Sequence, residues 1–340
     1  MKTFEGYHRG INLGGWFSQC DHSKERYDSF IRKEDLSSIR DLGFDHVRVP
    51  IDYELLLDSS FQFKEDGLRR IEDCIGWCEE IGLNMIIDLH KTPGFSFDEG
   101  EKESGFFENE SYQKIFYEIW ETLAKRFGKE EHVAFELLNE VSEKRFADTW
   151  NHIVRNAIGK IRVYAPDSKI LVGGYHNNAI EALKDLDAPY DENIVYNFHC
   201  YAPLVFTHQG AYWIKNMDQS FRMSFDSSYD RYREYTKKMI AEDFDDHFPS
   251  NDEIIDERYF DSLFEDALRV AEERNVALYC GEFGVIDRAD PEETLKWFSC
   301  IGKTFKKYGI GRCLWSYKEM DFGLTENHYD KIRTEILELI

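Results

Sequence analysis

The sequence predicts an α/β fold, a (β/α)8 TIM barrel with an inserted subdomain between strand 6 and strand 7. Eight apolar runs of strand length recur along the 340 residues, each separated from the next by enough chain for a helix or a long loop. Most runs are continuous rather than alternating in polarity, the pattern of parallel strands buried on both faces. Neither a G-x-G-x-x-G turn nor a G-x-x-x-x-G-K-[ST] loop follows an early strand, which counts against the runner-up, a doubly wound nucleotide-binding sheet.

Taken in order, strands are expected at residues 10–13, 45–49, 84–89, 133–138, 170–173, 194–198, 276–280 and 312–315. The intervening segments carry helical periodicity. Leu68, Ile71, Ile75 and Cys78 keep a three- and four-residue spacing, and Gly82 follows as a stop. Ile115, Ile119, Leu123 and Phe127 repeat the pattern before Gly128, and Ile153, Ala157, Ile161 and Tyr164 repeat it before Pro166. Leu295, Phe298, Ile301, Phe305 and Tyr308 end at Gly309. Trp77, Trp120, Trp150 and Trp297 fall inside these helical patterns and are expected to pack helices onto the barrel. The sixth and seventh strands start at Ile194 and Val276, much further apart than most other neighbours. Residues 204–262 between them are dense in aromatics, including Phe206, Tyr212, Trp213, Phe225, Tyr229 and Tyr232. An ordered insertion over the active-site face is expected there, within one catalytic domain covering residues 1–340.

Composition narrows the partners. Lys and Arg number 42 against 66 Asp and Glu, a formal charge of −24. Such a surface repels phosphate backbones and anionic headgroups, so neither nucleic acid nor membrane is expected as a partner. A neutral substrate remains open, and a monomer is expected. No run of eighteen apolar residues occurs. The opening MKTFEGYHRG has no apolar leader, so a cytoplasmic enzyme or a secreted one in mature form is expected. Seven irregularly spaced cysteines fit a reduced chain, and Cys74 and Cys78 have no matching pair for zinc. No cofactor and no metal are expected. The acidic runs at 98–103 and 242–246 read as solvated surface.

In a barrel, functional side chains gather at the C-terminal strand ends. Those ends offer Arg48 in DHVRVP, His90 in IIDLH, Asn139 and Glu140 in VAFELLNEV, and His199 and Tyr201 in NFHCY. The last two strands add Glu282 in YCGEFG and Trp315 in CLWSYK. Two carboxylates on strands four and seven face each other across an eight-stranded barrel. One held protonated in apolar surroundings, Glu140, and one held ionised beside Arg48, Glu282, would suit acid–base and nucleophilic work at a glycosidic bond. The absence of an H-x-H pair on an early strand argues against the metal sites of barrel amidohydrolases.

The segment VAFELLNEV, with Arg48, His90, Asn139, Glu140, His199, Tyr201, Glu282 and Trp315 in order at strand ends, resembles the active-site set of glycoside hydrolase family 5, the cellulase family. The resemblance runs from RGINLGGW to WSYK. It implies Glu140 as general acid/base and Glu282 as nucleophile. Asn139 would hold the sugar 2-hydroxyl, and Arg48 and Tyr201 would hydrogen-bond Glu282. His199 would lie near Glu140, His90 would touch the sugar at the cleavage point, and Trp315 would form a stacking floor. Trp16 and Trp213 are further stacking candidates, and Asn177, with His176 and Asn178, follows strand five within reach of sugar hydroxyls.

The expected function is a retaining endo-β-1,4-glucanase acting on soluble β-glucan or oligosaccharide, with weak attack on crystalline cellulose. A β-mannanase of the same family, an exo-acting β-1,3-glucanase and an inactive glycan-binding barrel are the alternatives.

Overall fold

A computed structural model describes residues 1–98, 100–241, 244, 248 and 254–340. Eight parallel strands close into a barrel, each hydrogen-bonded to its neighbours in chain order and the first to the last. They are β1 (Arg9–Asn12), β2 (His46–Asp52), β3 (Asn84–Lys91), β4 (Val133–Glu136), β5 (Ile170–Val172), β6 (Ile194–Cys200), β7 (Ala277–Phe283) and β8 (Gly311–Leu314). The TIM barrel and all eight strands thus stand where the apolar runs placed them.

Strands buried on both sides need two apolar layers. Inside, Ile86, Ala134, Leu171, Val195, Ala277 and Cys313 fill the barrel, and Phe4 and Tyr7, stacked at 4.1 Å, belong to the same cluster. Outside, the helices Glu65–Ile81, Glu110–Phe127, Ala147–Arg162, Glu257–Glu273 and Pro291–Tyr308 lay their apolar stripes on the strands. Their ends follow the signals in the chain. Asp290 caps the last of these five by accepting from the Glu292 and Glu293 N–H groups, with Pro291 in its first turn. Gly82 and Gly309 close their helices at φ 78° and 65°, a left-handed conformation that costs glycine little.

Three of the four helical tryptophans do more than fill space. The buried indoles of Trp120, Trp150 and Trp297 donate to the carbonyls of Leu137, Gly173 and Ala202 at 3.0, 2.9 and 2.8 Å. Each bond fixes the chain just beyond β4, β5 or β6, where the loops of that barrel face begin. Trp77 packs against the core from a partly buried position.

After β5 the connection forms a short turn, Tyr175–Asn178, with His176 and Asn177 in left-handed conformations, and a 3-10 helix, Ile180–Asp185. After β6 the chain forms Leu204–Thr207 and Tyr229–Met239 before the helix Glu257–Glu273. That last helix sets Phe260 on Trp297, and Phe264 on Phe198 and Phe305, so it belongs to the outer ring of the barrel. The stretch ahead of it is pinned from within: Phe206 meets Phe225 at 5.2 Å, Tyr232 Oη donates to the Phe225 carbonyl, and the Phe225 N–H donates to Glu293. The acidic run at 242–246, Phe244 apart, lies outside the described residues. The run at 98–103 is more than a solvated edge. Glu103 accepts from the Gly94 N–H and the Tyr53 hydroxyl, both at 2.8 Å, and Glu101 pairs with Lys91 at 2.5 Å. These three contacts brace the loop after β3.

Candidate active site

Arg48, midway along β2, points into the barrel and is fully buried. A buried guanidinium is stable only when its donors are satisfied. Nε and Nη2 grip Glu136 at 2.7 and 2.8 Å, Nη1 donates to Asn12 at 2.9 Å and to Glu282 at 2.8 Å, and Nη2 also reaches Asn139 at 2.9 Å. Asp88 lies 3.0 Å from Nη2. Burial opposes the charge on Arg48, but Asp88, Glu136 and Glu282 together outweigh it and hold the group protonated well above its ordinary range. Asp88, sealed from solvent, is pushed up by burial to about 7 against the pull of Arg48.

Glu282, on β7, receives two donors: Arg48 on Oε1 and the Tyr201 hydroxyl on Oε2 at 2.9 Å. Both oxygens are therefore fixed in direction. Burial raises the Tyr201 hydroxyl well above its usual range, with Glu282 adding to the shift, so it stays a donor.

Glu140 follows β4 and takes φ 47°, an αL conformation that costs a non-glycine residue about 1–2 kcal/mol. Facing it after β5, His176, Asn177 and Asn178 hold φ 51°, 59° and 55°. The two strained turns are tied by backbone bonds from His176 N to Ser142 O and from Asn177 N to Val141 O. In consequence Asn177 Nδ2 donates to Glu140 Oε2 at 3.0 Å and His199 Nδ1 stands 2.8 Å from Glu140 Oε1. Burial raises the Glu140 pKa, opposed by the Asn177 hydrogen bond and the positive charge of Arg48. His199 is driven down to about 4 by burial, so at neutral pH it is an uncharged imidazole that orients Glu140.

One carboxylate oxygen of Glu140, one of Glu282 and a ring nitrogen of His199 lie within 4.8 Å of one another. Carboxyl groups roughly 5–5.5 Å apart suit a nucleophile and an acid acting on the same anomeric carbon. An activated water between them requires roughly 6.5–9.5 Å.

The floor comes from β8 and β3. The Trp315 indole runs parallel to His90, 5° between planes and 6.0 Å between centroids. A Cβ on Gly14 would sit 2.8 Å from the Trp315 ring, so the glycine after β1 leaves the indole its place. His90 Nδ1 stands 2.6 Å from Asp88 Oδ2, and its Nε2 lies 3.3 Å from Asn139 Nδ2. It is neutral, lowered by burial to about 4.

Trp16 requires a correction. It lines no cleft: only 2% of it is exposed, its ring stacks on Phe17 at 3.7 Å and its N–H donates to the Tyr27 carbonyl. Gly15, at φ 77°, turns the chain so that the large indole goes into the core and its N–H still finds an acceptor. Trp213 is 45% exposed beside Tyr212 and His208, and His208 in turn meets Tyr201 at 5.0 Å. His176 points away, toward Glu181 at 3.6 Å.

A family model described as cellulase (glycosyl hydrolase family 5) matches residues 9–321, a span holding every barrel strand and all of the strand-end residues above. The chain belongs to glycoside hydrolase family 5. It is 47% identical over 313 residues to cellodextrinase A of Ruminococcus flavefaciens, across 92% of this chain and 86% of that protein. It is 37% identical over 336 residues to endoglucanase C of Acetivibrio thermocellus, across 97% of each. A solved endoglucanase from Thermotoga maritima shares the fold with a TM-score of 0.77 at 23% identity, over 98% of this chain and 97% of its own.

Within this family 5 barrel, Asn12, Asp88, Glu136 and Asn197 are site components that sequence reasoning passed over, and Asn178, expected to meet sugar hydroxyls, is buried against His199 instead. Asn197 donates to Glu136 at 2.8 Å, Asn178 meets His199 Nε2 at 3.3 Å, and Asn12 is bonded to Arg48. The signal was present: a carboxylate inside a continuous apolar strand, as in IIDLH or VAFE, has to meet a buried cation. Among the described residues, two groups combine enough His and acidic ligands for a metal ion, Glu140–His199–Glu282 and His22–Asp52–Glu54. In the first group both oxygens of each carboxylate are already engaged by protein groups.

Proposed function

We propose that this family 5 hydrolase is a retaining endo-β-1,4-glucanase acting on soluble β-glucan chains and cellodextrins. The observation that carries the mechanism is the separation of at most 4.8 Å between the nearest Glu140 and Glu282 oxygens considered with His199. Glu282, aimed by Arg48 and Tyr201, attacks the anomeric carbon as Glu140 protonates the departing oxygen. Glu140 then takes a proton from water, which releases the sugar from Glu282 with its original configuration. Asn139, held by Arg48, presents its amide to the 2-hydroxyl, and Trp315 and His90 form the surface beneath the ring at the cleavage point.

The stretch after β6 acts in this reading as an inserted subdomain walling the leaving-group side of the cleft. Trp213 and Tyr212 are its exposed aromatic faces, and His208 links them to Tyr201. Glucan rather than another glycan is supported by the names of the two relatives, a cellodextrinase and an endoglucanase.

A substrate panel tests this. Mixed-linkage glucan, carboxymethyl-cellulose, cellodextrins, glucomannan, mannan and laminarin are digested and the product lengths recorded. A ladder of oligomers from the β-1,4-glucans is expected, with much slower release from crystalline cellulose. Faster cleavage of mannan would keep the mechanism and replace the substrate, and single glucose units from laminarin would sink the endo-glucanase reading.

A further inference from the structure

A second constellation lies on the same barrel face, outside the reaction site. The loop after β1 supplies Gln19 and His22, the end of β2 supplies Asp52, and the short helix Tyr53–Leu56 that follows supplies Glu54. His22 Nε2 stands 3.4 Å from Asp52 Oδ2, and these two groups and a Glu54 carboxylate oxygen all lie within 4.8 Å of one another. Asp52 is buried, whereas a quarter of the His22 side chain is open to solvent, so an ion could enter from outside.

Several independent features call for a cation here. Glu54 binds Lys91 through Oε1 at 2.5 Å, but its Oε2 is buried with no hydrogen-bond donor among the described residues. Gln19 donates its backbone N–H to Asp52 Oδ2 at 3.1 Å, and its side-chain carbonyl is also buried without a donor among the described residues. Buried acceptors left this way are costly unless something positive meets them. Lys91 and Lys64 leave the neighbourhood of Asp52, Glu54, Glu101 and Glu103 with an excess of negative charge. His22 is also held as a ligating imidazole usually is, by its other nitrogen: Nδ1 lies 2.9 Å from the Tyr27 hydroxyl.

We propose that His22 Nε2, Asp52 and Glu54 form a divalent-cation site of the zinc type, with water in the fourth position. Two ligands at about 2.0–2.1 Å from a tetrahedral zinc stand about 3.4 Å apart, and that is the His22–Asp52 separation. One imidazole among the donors favours zinc or a similar first-row ion over magnesium or calcium, which take oxygen. Cys20 is not a ligand, since its sulfur faces Nδ1, the opposite edge of the His22 ring, at 3.7 Å. The ion cross-links the loop after β1 to the end of β2.

The test uses the full chain after chelator treatment, titrated with zinc chloride by calorimetry and melted with zinc, calcium or magnesium chloride. One zinc per chain and a zinc-specific rise in Tm are expected, with affinity lowered at least about 10-fold in His22→Ala and in Glu54→Gln. Cobalt provides a readout on the unaltered protein, an intense visible absorption from a tetrahedral ion. No zinc binding by the unaltered chain, or a weak octahedral cobalt spectrum, would overturn the proposal. So would zinc affinity undiminished in both variants, which would move the ion to Glu140, His199 and Glu282.

Discussion

Replacing Glu282 with alanine is expected to slow glucan hydrolysis by at least about 10,000-fold, because no other group can form the glycosyl ester. The neighbouring carboxylates are committed elsewhere: Glu136 is held by both Arg48 and Asn197, and Asp88 by Arg48 and His90. The variant should still fold, since Arg48 keeps Glu136, Asn12 and Asn139 as acceptors. Its cavity, bounded by the Arg48 guanidinium and the Tyr201 hydroxyl, suits a small anion. Added azide should restore turnover with an activated aryl cellobioside and yield the α-glycosyl azide, identified by its NMR coupling. Hydrolysis near the unaltered rate without azide would rule out Glu282 as nucleophile.

Glu140→Ala is expected to divide substrates by leaving group. Cleavage of β-glucan should fall by about 100- to 10,000-fold, the usual contribution of a positioned acid. A dinitrophenyl cellobioside, whose leaving group needs no proton, should still glycosylate Glu282 and then stall, giving a burst followed by slow turnover. The pH profile follows from the same group. Burial raises the Glu140 pKa, and the acid must be protonated to act, so kcat/KM falls as pH climbs through that raised value. His199 and His90, both near 4, are already neutral there and do not supply this limb. In Glu140→Gln the alkaline limb should vanish, and its persistence would assign the acid to another residue.

The barrel could be read from the sequence because strands buried on both faces leave continuous apolar runs, and helix ends are marked by residues such as Gly82, Pro291 and Gly309. The strand-end rule then isolated Arg48, His90, Glu140, His199, Tyr201 and Glu282, since polar groups there have no structural reason to converge. Two kinds of information did not reach the sequence reading. Trp16 depended on a turn: Gly15 at φ 77° sends the indole inward, and the residue's position after a strand says nothing of that rotation. Asp88 and Glu136 depended on register, because their role is visible only when Arg48 of β2 is seen against its neighbours on β3 and β4. The strain at Glu140 and Asn177 likewise arises from two loops bonded to each other, far apart in the chain.

The central claim is the covalent intermediate on Glu282. Its most direct test is to incubate the protein with a 2-deoxy-2-fluoro-cellobioside carrying an activated leaving group, digest it, and sequence the labelled peptide by mass spectrometry. The double displacement requires one cellobiosyl adduct per chain, on Glu282, accompanied by loss of activity. An adduct on Glu140 or Glu136, or no adduct with the α-anomer as the first product from natural glucan, would contradict it.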